Sequence, residues 1–246
     1  MPGLEDIAET YVTAGSLDRE LEDWMREVQP YQWRKVEPLR AEDSALLVID
    51  MSKAFVEQDR PLASPNARAI VARTSHLVQS FHSADRPVVW IVQGHHSVEH
   101  DRGKHLSSWW PTPVLEGTSD VQLATGLDAR DDKIIIKRRY SGFQQTDLEC
   151  TLRCLEVRQV VICGILTHVC PLTTAFDAFV RDFSVYYVAD CTASINRSLH
   201  VAALQMLAGW CGFVVRSREI INWLSCHGLK ADGIKSFGKT DAGDNK

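Results

Sequence analysis

Short apolar runs rich in β-branched residues recur along this chain and alternate with stretches of helical pattern. Each run is largely continuous in its apolar character, which is typical of parallel strands buried on both faces. Strands that alternate with helices indicate βαβ units joined into one sheet. We therefore predict one α/β domain with a doubly wound, mostly parallel sheet flanked by helices. The predicted strands lie at residues 45–49, 87–92, 133–136, 160–163, 185–188 and 213–215.

Four helices are predicted between these strands. Ser64 and Pro65 are expected to begin the first, because proline favours the first turn of a helix. The stretch Thr146-Asp-Leu-Glu149 has the form of a capping box and is expected to begin the second. The other two are expected near residues 170–182 and 198–208.

The N-terminal leader contains one predicted amphipathic helix, for which Ser16 is the expected N-cap. Apolar side chains recur on one side of this helix. They are Leu17, Leu21, Trp24 and Val28. A helix of this kind must bury its apolar side, either on its own domain or on a neighbouring subunit.

The composition is close to that of an average globular protein. The net charge of −5 gives no strong attraction to nucleic acid or to an anionic membrane. No apolar run approaches membrane-spanning length and no signal peptide is visible, so we expect a cytoplasmic protein. We divide the chain into a leader at 1–43, one domain at 44–225 and a polar tail at 226–246.

Cysteine usage favours reduced thiols. The chain has seven cysteines, and an odd number without a secretion signal makes a disulfide framework unexpected. Cys150 and Cys154 stand four residues apart on a predicted helix, a spacing that can ligate a metal, but no second pair accompanies them.

Three reactive side chains are expected at the carboxyl ends of predicted strands, where open α/β sheets bind their ligands. Asp50 directly follows the first strand, and Lys137 directly follows the third. Cys170 follows the fourth strand after a short loop and begins the next helix. An acid, a cation and a thiol would therefore project toward one crevice.

This trio predicts nucleophilic chemistry. A thiol attacks only as the thiolate, which the N-terminus of a helix and the charge of Lys137 would both stabilise. Asp50 could accept the thiol proton and return it to a leaving amine. Backbone N–H groups of the 164–170 loop could bind the oxyanion. The plainer alternatives are a capping aspartate, a solvated lysine and a small buried cysteine.

Three stretches then resemble the isochorismatase-like cysteine hydrolases. They are Ala45-Leu-Leu-Val-Ile-Asp-Met51, Lys137-Arg-Arg-Tyr-Ser-Gly-Phe143, and Gly164-Ile-Leu-Thr-His-Val-Cys170 followed by Thr173-Thr-Ala-Phe-Asp-Ala178. The resemblance covers roughly residues 44–220 and implies a Rossmann-like sheet with Asp50, Lys137 and Cys170 as a catalytic triad. It also implies a cis peptide bond between Ile165 and Leu166, and an oxyanion hole formed by the N–H groups of Leu166 and Cys170.

Within this family, the residue at position 170 separates two chemistries. True isochorismatases cleave a vinyl ether and have a glycine there, whereas a thiol favours amide, carbamoyl or ureido substrates. The Tyr140-Ser-Gly-Phe143 stretch and Thr146-Asp147 are similar to the ureidoacrylate, biuret and carbamoylsarcosine hydrolase branch. The alternatives are a vinyl ether hydrolase and a non-catalytic binding protein with the same fold.

The residues after the second predicted strand differ from those that bind a metal in some members of this superfamily. Nicotinamidases of this superfamily bind a divalent metal through an aspartate and histidines after the second strand. Here His95, His96, His100 and His105 occupy that region without a matching Asp-x-His. Family members also commonly have glutamine where Ser52 stands. We predict no metal and no other cofactor.

Substrate contacts are expected from residues near the trio in sequence. They are Phe55, Tyr140, Arg139 (with Arg138 as its neighbour), His168 and Trp110. Core packing is the equal alternative for Phe55, and a structural hydrogen bond within the loop is the alternative for His168. The expected partner is a small amide, and the chain is expected to form a homo-oligomer, a dimer or tetramer. The leader helix and the loop around Trp109 are expected to help subunits pack.

Overall fold

The six predicted strands form one parallel sheet in the computed structural model, which describes residues 4–97 and 101–234. They are β1 Ser44–Ile49, β2 Val88–Gln93, β3 Lys133–Lys137, β4 Gln159–Ile165, β5 Ser184–Ala193 and β6 Phe213–Val215. Their order is β3-β2-β1-β4-β5-β6, and each neighbouring pair is parallel. The order reverses between β1 and β4, so the carboxyl ends of these strands border the crevice where ligands bind.

The central strands explain the continuous apolar pattern. Every residue of β1, β2 and β4 is buried, as expected for strands covered on both faces. β3 lies at an edge of the sheet, and its first two residues are exposed. The predicted fold class is confirmed.

The described helices precede, connect or follow these strands. They are α1 Leu4–Ile7, α2 Leu17–Val28, α3 Lys53–Val56, α4 Val71–Ser83, α5 Lys104–Trp109, α6 Leu148–Cys154, α7 Cys170–Phe179, α8 Arg197–Trp210 and α9 Ser217–Ile234. In residues 4–97 and 101–234, none of the helices is both long enough and apolar enough to cross a membrane.

Two predicted helix starts differ in detail. The helix expected after Ser64 begins only at Val71, because a 3-10 turn at Ala67–Ile70 precedes it. The capping box expected at Thr146–Glu149 does not form. Thr146 Oγ1 accepts from the N–H of Leu148, but the Glu149 carboxylate pairs with Arg181 Nε at 2.9 Å instead of returning to the helix N-terminus.

The leader helix packs on its own domain rather than projecting toward another subunit. The predicted apolar side chains of α2 are all buried, against α8 and β5. Trp24 is fully buried, with its ring 4.3 Å from His200 and 5.9 Å from Tyr11. The hydroxyl of Ser16 accepts from the N–H of Thr13 and does not cap α2.

At the other end of the chain, α9 runs through position 226, where we expected a polar tail to begin. The last residues of that expected tail, 235–246, lie outside the described part of the chain.

Trp24 is expected to contribute strongly to stability. Trp24→Ala should lower the free energy of unfolding by about 3–5 kcal/mol, because a large buried ring is lost and a cavity remains. Urea denaturation measures this change. Trp33→Ala is the control, since Trp33 is 75% exposed and should cost much less. Equal losses in both variants would contradict the packing of α2 on the domain.

Buried histidines should make stability depend on pH. Burial lowers the pKa of His200 to about 3 and that of His168 to about 4, below the ordinary 6.5. The unfolded chain therefore takes up these protons first. The stability contributed by the neutral rings is complete above pH 6.5 and is lost as the pH falls through the folded pKa values.

Urea denaturation between pH 7 and 4 tests this expectation. His168→Asn should reduce the loss of stability with falling pH, whereas His76→Asn, at an exposed position, should leave the slope unchanged. The assignment is wrong if His168→Asn and the wild type lose stability in parallel.

Candidate active site

Asp50 is held at the end of β1 by both its backbone and its side chain. Its φ of +53° lies in the left-handed region, which aspartate tolerates better than most residues. Its N–H donates to the carbonyl of Ile91 at 2.8 Å, and its Oδ1 accepts from the N–H of Gln93 at 2.7 Å. The second carboxylate oxygen, Oδ2, faces the Lys137 ammonium.

Lys137, the last residue of β3, joins the acid to the thiol. Its Nζ lies 2.8 Å from Asp50 Oδ2, 2.8 Å from Gln93 Oε1 and 3.3 Å from Cys170 Sγ. Its side chain is fully buried, whereas that of Asp50 is 2% exposed. The three side chains predicted from strand ends therefore meet at one point.

The charges of this cluster are interdependent. Burial alone would lower the pKa of Lys137, but the neighbouring Asp50 and Cys170 outweigh it and raise that pKa above its ordinary value. Burial raises the pKa of the Cys170 thiol, and the charge of Lys137 acts against this. The two neighbours of Lys137 thus favour its ammonium, and that charge opposes the effect of burial on the thiol.

The loop between β4 and α7 brings Cys170 to this cluster. Gly164 has a φ of +114°, and a Cβ there would collide with the carbonyl oxygen of Ile49. The Ile165–Leu166 peptide bond is cis, as the resemblance implied. Cys170 is the first residue of α7, so its N–H has no partner within the helix.

A mostly apolar pocket opens beside the thiol. Its lining includes Asp50, Phe55, Leu62, Gln93, His95, Arg102, Leu106, Trp110, Thr112, Val114, Tyr140, Ile165, Leu166, Val169 and Cys170. Phe55, Trp110 and Tyr140 were predicted to contact substrate and do line this space. Trp110 Nε1 donates to the Tyr140 hydroxyl at 2.7 Å, whereas Trp109 is 77% exposed.

Two other predicted contacts do not line the pocket. Arg139 Nη1 donates to the backbone carbonyls of Asp101 and Arg138, both at 2.8 Å, so its guanidinium ties the loop together. His168 Nδ1 lies 2.7 Å from Ser194 Oγ, so it makes a structural hydrogen bond, but with a residue just after β5 and not with one of its own loop. Burial makes this ring neutral by lowering its pKa to about 4.

Several of the pocket residues were not predicted from the sequence, and two of them, Gln93 and Arg102, are relevant to the chemistry. Gln93 ends β2 in register with Lys137, so the strand-end argument could have found it. Arg102 is 2% exposed and comes from the long segment after β2, for which the sequence offers no comparable signal. It donates to the carbonyls of Pro111 and Trp110, and its Nε has no hydrogen-bond partner among the described residues.

The residues after β2 do not fit the metal site of nicotinamidases. Both ring nitrogens of His95 are engaged, Nδ1 by Asp101 and Nε2 by Gln93. His96 Nδ1 faces Glu116 at 3.5 Å, and His100 lies outside the described residues. The described chain holds no group of three or more histidine, cysteine, aspartate or glutamate side chains able to bind a metal.

Known proteins are similar to this chain over most of its length. Over 182 residues, the chain is 34% identical to nicotinamidase 3 of Arabidopsis thaliana, covering 72% of this chain and 86% of that protein. It is 30% identical over 210 residues to the isochorismatase of Bacillus subtilis strain 168, covering 80% of this chain and 66% of that protein.

A solved structure is also similar throughout most of its length. The cysteine hydrolase from Pseudomonas syringae pv. phaseolicola 1448A superposes with a TM-score of 0.75 at 25% identity, covering 78% of this chain and 96% of that one. The family model described as the isochorismatase domain matches residues 44–219, the segment that carries the sheet and the pocket. The chain therefore belongs to the isochorismatase family of hydrolases.

Proposed function

We propose that this protein hydrolyses a C–N bond of a small linear amide, ureido or carbamoyl compound through a thioester on Cys170. The observation that carries the proposal is the contact of one ammonium with both a thiol and a carboxylate. Lys137 Nζ lies 3.3 Å from Cys170 Sγ and 2.8 Å from Asp50 Oδ2, and both of these partners line the pocket. Such a cluster can generate a thiolate and move its proton.

The reaction follows from these positions. Asp50 takes the thiol proton, and the charge of Lys137 stabilises the thiolate, which attacks the substrate carbonyl carbon. The N–H groups of Leu166 and Cys170 are the proposed donors to the oxyanion. The C–N bond breaks as Asp50 returns the proton to the leaving nitrogen. Water then cleaves the thioester, so that amide and water yield an acid and ammonia or an amine.

The pocket also favours a particular kind of amide. Arg102 brings a buried positive charge, while the charge of Asp50 is balanced by Lys137. Among residues 4–97 and 101–234, no ion pair neutralises the Arg102 guanidinium, which donates to the carbonyl groups of Pro111 and Trp110. A substrate carboxylate would supply the missing charge. We therefore propose an amide that carries a carboxylate as the substrate.

Vinyl ether hydrolysis is the second candidate. It is favoured by the similarity to the isochorismatase of Bacillus subtilis, and a proton from the Asp50 and Lys137 pair would be sufficient for it. This route needs no thiol, so the role of Cys170 separates the two chemistries. A binding protein without activity is the remaining alternative.

Removal of the thiol tests the proposed route. Cys170→Ala should lower kcat for amide hydrolysis by at least about a thousandfold, because the covalent route is lost. Lys137→Ala should slow the alkylation of Cys170 by iodoacetamide. Mass spectrometry of the peptide that contains Cys170 measures the alkylation rate. Cys163→Ala is the control, since this buried thiol lies in β4, outside the pocket lining. Unchanged turnover in Cys170→Ala would favour proton-driven chemistry instead.

Arg102 should discriminate between acidic and neutral substrates. A screen for ammonia release over ureides, carbamoyl compounds and monoamides of dicarboxylic acids identifies the substrate, and its carboxylate is then replaced by a methyl ester. Arg102→Gln should raise KM for the acid by about tenfold to a hundredfold, because a charged hydrogen bond is lost, and should leave the ester unaffected. Arg139→Gln is the control outside the pocket. Equal effects on acid and ester would contradict the assignment.

A further inference from the structure

A continuous line of hydrogen bonds runs from Lys137 to the loop after β2. Gln93 Oε1 lies 2.8 Å from Lys137 Nζ, and Gln93 Nε2 lies 2.7 Å from His95 Nε2. His95 Nδ1 in turn lies 3.2 Å from Asp101 Oδ1. The proposed nucleophile is thus connected through its lysine to a titratable ring that does not touch it.

The donors and acceptors of this line can be arranged in only one direction. An ammonium only donates, so the amide oxygen of Gln93 must face Lys137 and its NH₂ must face His95. His95 Nε2 must then accept, which leaves its proton on Nδ1, where the Asp101 carboxylate accepts it. Every link is satisfied only when the His95 ring is neutral.

The surroundings of His95 favour that neutral ring. Burial lowers its pKa, the charge of Asp101 raises it, and the charges of Arg102 and Arg138 lower it, with a net decrease from 6.5. Lys137 adds a further positive charge behind Gln93. His95 is 2% exposed, and its backbone is fixed because its N–H and C=O bind Val114 and Glu116, both at 2.9 Å.

We propose that His95 is a positioning residue, which orients the Gln93 amide and through it the Lys137 ammonium only while its Nε2 carries no proton. Protonation of His95 Nε2 would bring its N–H against the NH₂ group of Gln93, so that two donors face each other. Rotation of the Gln93 amide relieves that conflict only by turning its NH₂ toward Lys137. Lys137 then loses one of its acceptors, and its hold on Cys170 weakens. This inference rests on the proposed function of Cys170 and Lys137 and adds an acid-sensitive control to it.

Two substitutions at position 95 separate positioning from simple packing. His95→Gln keeps an amide oxygen that can accept from Gln93 but cannot be protonated. It should retain kcat within a few-fold at pH 8. In the wild type kcat/KM should decrease as the pH falls below 6.5, and this decrease should be absent in His95→Gln. His95→Leu removes the acceptor and should lower kcat on the order of tenfold at all pH values, since a buried donor is left unpaired.

The matched control is His96→Gln, at the exposed neighbouring position. It should preserve both kcat and the pH profile. The proposal is overturned if His95→Gln keeps the acid limb of the wild type, or if it loses as much activity as His95→Leu. Circular dichroism and the urea midpoint establish that each variant is folded.

Alkylation of Cys170 by iodoacetamide distinguishes a failure of this inference from a failure of the proposed function. We call the hydrogen-bonded line from Lys137 through Gln93 to His95 the relay. It predicts that the rate of alkylation decreases as the pH is lowered in the wild type, and that the decrease is smaller in His95→Gln. If this difference appears while no amide is turned over, the proposed function is wrong and the relay stands. If amides are turned over but the two alkylation profiles coincide, the relay is wrong and the function stands.

Discussion

The ion pair between Lys137 and Asp50 is the interaction on which the rest of the site depends. Neither side chain has appreciable contact with water, and their charged atoms lie 2.8 Å apart. Loss of hydration is costly for both ions, so the pair persists only with further hydrogen bonds. Gln93 supplies them on both sides, its side chain to Lys137 and its N–H to Asp50. An uncompensated charge would remain if either partner were removed.

Sequence alone predicted the central cluster because parallel strands impose a simple geometry. Lys137 ends a strand, whereas Asp50 and Cys170 follow a strand or its loop. Strands of one parallel sheet place their carboxyl ends at a common edge. The same rule could have identified Gln93, which ends β2 in register with Lys137. The family resemblance added the cis bond after Ile165, which periodicity cannot reveal.

The pocket was only partly predictable, because it is built from side chains whose directions depend on irregular segments. Phe55 and Tyr140 lie close in sequence to the ends of strands and do line the space. Arg139 is equally close, yet its guanidinium finds backbone carbonyls first. Arg102 enters from the long segment after β2, where no period relates sequence to direction. Chain connectivity thus fixes the reactive centre, whereas loop packing decides what the centre can bind.

Gly164 has a consequence for how this protein could be altered. Gly164 stands six positions before Cys170, and Ile49 directly precedes Asp50. Because Gly164 has no side chain, β4 can approach the carbonyl group of Ile49 closely. This close approach works as a spacer that fixes the separation of the acid and the thiol across two strands. The strands that carry the proton acceptor and the nucleophile are thereby held at a short distance by backbone contact, which does not depend on the side chains that line the pocket. Substitution of residues that line the pocket could therefore change which substrate fits, while the strands that carry Asp50 and Cys170 keep their separation.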